Sequence, residues 1–96
     1  MKTLYIRKKD LGPESLGAAD VHFNMGILYK KLDVPDRVLL HFTEALAIRR
    51  KIVGPLSMPV ANVLEELGKF FLQTNNLQAA YKNLQECYII RKKALQ

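Results

Sequence analysis

Apolar residues recur every three or four positions along most of the chain, and no stretch alternates with the period of two expected of a strand. The pattern predicts helices and no sheet. Residues 1 to about 11 read as the end of a helix, closed by Gly12 and Pro13, the usual stop signals. Ser15 can cap a second helix to about Leu32, with Val21, Met25, Leu28, Tyr29 and Leu32 along one face. After a short turn at Asp33 and Val34, Pro35 suits the first position of a third helix, where its missing N–H costs nothing. That helix runs to about Val53 with Val38, Phe42, Ala45, Leu46 and Ile48 inward, and Gly54-Pro55 stops it. Ser57 caps a fourth helix with Pro59 in its first turn, whose face continues through Leu64, Leu67, Phe71 and Thr74. Asn75-Asn76 turns the chain into a fifth from about Leu77, with Ala80, Leu84, Cys87, Tyr88 and Ile90 inward. The expectation is all-α: five helices packed as antiparallel neighbours.

A basic tetrapeptide marks the ends of three of these helices. Ile6-Arg7-Lys8-Lys9, Ile48-Arg49-Arg50-Lys51 and Ile90-Arg91-Lys92-Lys93 are separated by 42 residues both times. A fixed period of that size is the mark of a repeat array. Residues 12–53 laid over 54–95 align Gly12-Pro13 with Gly54-Pro55, Ser15 with Ser57 and Ala19 with Ala61. Val21 falls on Val63, Gly26 on Gly68, Tyr29 on Phe71 and Glu44 on Glu86. Conservative pairs join them, among them Met25 with Leu67, Phe42 with Leu84 and Ala45 with Cys87. The register holds without a gap. It divides one domain of residues 1–96 into the end of a preceding repeat (1–12) and two repeats, 13–54 and 55–96.

Within each unit the first helix reads His22-x-x-Met25-Gly26-x-x-Tyr29, then Leu64-x-x-Leu67-Gly68-x-x-Phe71. The second reads Val38-x-x-x-Phe42-x-x-Ala45, then Ala80-x-x-x-Leu84-x-x-Cys87. This resembles the tetratricopeptide pattern of large, large-small and aromatic positions on one helix and small, aromatic and small positions on the next. Gly26 and Gly68 would let the paired helix approach closely, with Tyr29 and Phe71 filling the space beside the contact. The usual tetratricopeptide period is about 34 residues; the longer unit here, extended by Ala47 to Pro55, looks like the repeats of kinesin light chain and similar adaptors. The resemblance covers essentially the whole chain. It implies an α-solenoid of antiparallel helix pairs, a tetratricopeptide-like superhelix, serving cargo or scaffold recruitment in the cytoplasm, there associated with the cytoskeleton.

Composition agrees with a folded domain: 96 residues, 49% hydrophobic and 25% charged, near the lower end of what buries a self-sufficient core. The net charge of +6 invites an acidic partner, yet nine of the fifteen Lys and Arg lie in the three repeated clusters. Cations in a last turn interact favourably with the carbonyl end of their helix, which accounts for all three clusters without a ligand. Nucleic acid is disfavoured, since Tyr88 aligns with core Leu46 and few accessible aromatics lie between the cations to stack bases. One cysteine, Cys87, excludes an internal disulfide and suits a reducing compartment. No stretch has the length of a membrane-spanning helix, and Met1 to Arg7 lacks the apolar core of a signal peptide.

The resemblance places a binding groove on the first helix of each pair. Matching positions are Asp20, Phe23, Asn24, Ile27 and Lys31 in one unit, and Asn62, Glu65, Glu66, Lys69 and Gln73 in the next. An Asn such as Asn24 can donate to and accept from an extended peptide backbone. Of the two adjacent Asn that the light-chain-like family often carries, Asn24 matches, while Phe23, Glu65 and Glu66 depart. The same departures remove the clamp of Lys and Asn that some relatives close on a C-terminal carboxylate. His22 occupies a core position, and His41 has no carboxylate or cysteine at metal-ligand spacing. Cys87 sits at a small core position, and the glycines stand singly, which forms no phosphate loop. The reading is a non-enzymatic module, without metal or cofactor, that takes a peptide or helix of a partner protein. A structural alternative is self-association through uncapped end helices, with Leu4 and Ile6 at one end and Leu84, Tyr88 and Leu95 at the other.

Overall fold

The structure is a computed structural model that describes residues 14–95. The helix expected over residues 1–11 lies outside the described residues. Within them are four helices and no strand: α1 (Leu16–Leu32), α2 (Pro35–Ile52), α3 (Met58–Gln73) and α4 (Leu77–Ala94). Helices α1 and α2 pack as one pair, α3 and α4 as a second, and α2 lies against α3.

Local chemistry sets the boundaries. The Ser15 hydroxyl accepts from the Ala18 N–H at 3.0 Å, satisfying one of the orphan donors of α1. Asp33 then closes α1 in the left-handed conformation, φ 60°, and Asn75 repeats this 42 residues later at φ 63°. In both turns the next N–H reaches back five residues, Val34 to the Tyr29 carbonyl and Asn76 to the Phe71 carbonyl. Asp and Asn are the non-glycine residues that tolerate this geometry best. Ser57 departs from expectation. It holds the N-cap position of α3 without capping it, because its hydroxyl donates to the Gly54 carbonyl at 2.8 Å and so braces the turn between the pairs.

The core forms where the two pairs meet. Val38, Phe42, Ala45 and Leu46 of α2 bury against Val60, Val63, Leu64 and Leu67 of α3, closed by Cys87 and Ile90 of α4. All five inward positions expected of α2 are buried. On α1 the expectation holds for Tyr29, which packs against the core, and fails for Val21, Leu28 and Leu32, which are exposed while Ala19 and Gly26 are buried. Helix α1 carries apolar residues on two faces, and only one of them is turned to α2. Tyr88 is likewise exposed on α4, and Thr74 on the turn after α3.

Candidate functional site

The first helices of the two pairs are neighbours. Lys30 near the end of α1 reaches Glu66 in the middle of α3, Nζ to Oε1, at 3.3 Å. From there a run of ion pairs crosses the surface. Glu66 also faces Lys69 (3.9 Å), Lys69 faces Glu65 (3.4 Å), and Glu65 accepts from Arg91 of α4 at 2.6 Å. Arg91 further donates to Asn62 at 3.3 Å. Alternating charges on three helices thus hold one another in place. The Arg91 hydrogen bond is the main reason the Glu65 carboxyl lies below its ordinary pKa, and the same bond raises Arg91.

The ten positions singled out on α1 and α3 do not behave alike. Asn62, Glu65, Glu66 and Lys69 belong to the ion-pair run. Asp20 is tied to Arg49 at 2.9 Å. Phe23 and Ile27 pack against the core, and the Arg49 guanidinium lies 4.8 Å from the centre of the Phe23 ring. Asn24, Lys31 and Gln73 are exposed, and their side chains make no hydrogen bond or ion pair to the described residues. They are the positions with unspent hydrogen-bonding capacity.

A small cavity of about 130 Å³ opens beside Gln73, between the turn after α1 and the C-terminal end of α3. Val34, Pro35, Val38 and Phe70 supply apolar walls, with Lys30, Asp33 and Gln73 at polar positions of the lining. Of the expected groove residues it takes in only Gln73. The rest of the lining combines the first interhelix turn with α3, a conjunction that periodicity does not show.

The basic clusters act across helices as well as at helix ends. Arg49 is buried; besides Asp20 it donates to the Pro59 carbonyl at 3.1 Å, so one guanidinium joins α1, α2 and the start of α3. Arg91, its counterpart one repeat on, reaches Asn62 and Glu65, the counterparts of Asp20 and Phe23. Arg50 pairs with Glu86 at 2.7 Å and Lys51 with Glu14 at 2.6 Å. The two contacts are equivalent in the register: 29 residues separate Arg49 from Asp20 and Arg91 from Asn62.

The two histidines meet. His22 Nδ1 lies 3.0 Å from His41 Nδ1, and the His41 ring stacks on Tyr29 with 5.5 Å between centres. His22 is half-buried at this contact, outside the buried core. Burial, then the charges of His22 and Arg37, lower the His41 pKa against an opposing contribution from Glu44. Among the described residues no group of three or more His, Cys, Asp or Glu could hold a metal ion. Cys87 is buried, and burial raises its thiol pKa.

No family model, curated protein or solved structure matches the chain. No described helix is long and apolar enough to cross a membrane.

Proposed function

We infer that the chain is a tetratricopeptide-like interaction module, two helix pairs of a superhelical stack, that binds a peptide or helix of a partner protein along α1 and α3. The observation that carries this reading is the unequal use of the polar residues on those helices. Half of them are consumed by the ion-pair run from Lys30 to Arg91, whereas Asn24, Lys31 and Gln73 stay unengaged within the described residues. A surface braced in this way loses little conformational freedom when a ligand settles on it. The unengaged amides would anchor the peptide backbone, and the cavity beside Gln73 is sized for one aliphatic side chain. Adaptor or scaffold work in the cytoplasm follows from the resemblance.

The basic clusters support nucleic-acid binding less well, because Arg49, Arg50, Lys51 and Arg91 already face carboxylates. A randomised peptide panel titrated against wild type, Asn24→Ala and Gln73→Ala tests the reading. Binders whose affinity falls about tenfold in either variant, roughly 1.4 kcal/mol, support it. Binders indifferent to both variants would move the site elsewhere. No binder at all would sink it.

A further inference from the structure

The 42-residue register allows buried and exposed positions to be compared pair by pair, and the differences fall on two helix faces. On α3, Val60, Val63, Leu67 and Phe70 are buried at the seam with α2. Their counterparts on α1 are Ala18, Val21, Met25 and Leu28, none of them buried. Val63 is 0% exposed and Val21 60%. On α2, Phe42, Leu46 and Arg49 are buried, whereas their counterparts Leu84, Tyr88 and Arg91 on α4 are not. Leu46 is 8% exposed and Tyr88 62%. Within each set the residues are three or four positions apart, so each forms one stripe along its helix.

The two stripes are the two halves of the internal seam. In the middle of the molecule the α2 stripe covers the α3 stripe. Among the described residues, nothing covers the corresponding α4 stripe at one end or the α1 stripe at the other. Charge agrees with apolar surface. Across the internal seam Arg50 pairs with Glu86 at 2.7 Å. Their counterparts are Lys92 and Glu44, which have no ion-pair partner among the described residues. Each stands six residues from a member of that pair, Glu44 from Arg50 and Lys92 from Glu86, and so lies on the far side of its own helix from the α2–α4 contact.

We propose that the α4 stripe of one copy docks on the α1 stripe of a second, with Lys92 against Glu44 of the neighbour, reproducing the α2–α3 seam between chains. The contact is head to tail, so each copy keeps one unused stripe and the assembly extends by addition. Residues 3–11 align in the register with residues 45–53, identical at four of nine positions, and their occupying the α1 stripe is the competing outcome of the test. Asn24 borders the α1 stripe, three residues from Val21 and four from Leu28, but association in the absence of any peptide does not depend on the peptide-binding reading.

Sedimentation of the full chain over a wide concentration range tests it, with Tyr88→Glu and Val21→Glu as single variants. Both side chains are exposed, so thermal unfolding at low concentration checks that each variant still folds. Wild type is expected to grow in mass with concentration, each variant to stay at the 11.0 kDa of one chain, and their equimolar mixture to stop at twice that mass. Lys92→Glu is expected to weaken association roughly fivefold, and adding Glu44→Lys in the same chain to restore it. A wild type that remains monomeric overturns the proposal, as does a mixture that forms no dimer. Monomeric wild type whose melting is lowered by Val21→Glu and not by Tyr88→Glu assigns the α1 stripe to residues 3–11 and overturns it too.

Discussion

A Cβ placed on Gly26 would stand 2.5 Å from Cε1 of Phe42, closer than any real side chain is found. Phe42 is fully buried and has nowhere to move. The same relationship recurs one repeat on, where a Cβ on Gly68 would meet the Leu84 side chain. Leu84 is only half-buried and can swing away. Overpacking costs about 1–3 kcal/mol, partly offset by the roughly 1 kcal/mol that alanine gains over glycine in a helix. Gly26→Ala should therefore destabilise the fold by up to about 2 kcal/mol in urea titration, and Gly68→Ala by less. Adding Phe42→Leu to Gly26→Ala should recover part of the loss; purely additive effects would disprove the contact as the cause.

Arg49 should be the most costly of the basic positions. Its guanidinium holds Asp20, the Pro59 carbonyl and the Phe23 ring together in a buried position. Lysine cannot supply that fork. Arg49→Lys is expected to cost about 1–2 kcal/mol by chemical denaturation. Asp20→Asn should cost less than about 1 kcal/mol, since that carboxylate is mostly exposed and solvent screens it. Equal effects from the two variants would show that the ion pair, not the buried guanidinium, carries the stability.

The histidine pair predicts an acid-sensitive step. A hydrogen bond between His22 Nδ1 and His41 Nδ1 needs one N–H and one lone pair, so the doubly protonated pair loses it. Burial first, then the His22 and Arg37 charges, put the folded-state pKa of His41 below its ordinary 6.5, so the unfolded chain takes up the proton first on acidification. This contribution to stability is complete above pH 6.5 and declines as the pH falls through and below that value. Glu65 adds a separate loss that begins only below its ordinary 4.5, because its folded-state pKa is also lowered. Denaturation midpoints between neutral pH and the Glu65 range should decline in wild type and flatten in His41→Asn. A wild-type profile as flat as the variant's would remove the pair from the account.

Cys87 should report opening of the core. The thiol is buried, and burial raises its pKa, so thiolate is scarce at neutral pH. Its reaction with a chromogenic disulfide reagent should be on the order of 100-fold slower than in denaturant and should follow the opening equilibrium. Cys87→Ala should keep stability within about 1 kcal/mol, because Ala45 fills the equivalent site at the other pair. Rapid labelling of the native chain would show that the seam between α3 and α4 opens locally.

Much of the fold was legible in the sequence because helix starts, stops and turns are local chemistry. Ser15, Pro35 and Gly54 mark helix boundaries within a few residues. Turns were expected at Asp33 and Asn75, where the structure adds the left-handed conformation, and the close approaches at Gly26 and Gly68 were expected from the repeat pattern. The register could not decide which of two apolar faces α1 would bury. Both faces carry large hydrophobes at helical spacing, and the choice is made by where α2 lies, which exposes Val21 and Leu28 and draws Phe23 and Ile27 inward. Nor could it decide the part played by the basic clusters. Capping a helix end is an interaction within one turn, whereas Arg49 and Arg91 find their partners across the packed pair. Residues 22 and 41 carry no joint signal in sequence, and they meet because two helices cross. Periodicity and caps determined the elements; the packing of the pairs decided which side chains were spent on holding them together and which were left unengaged.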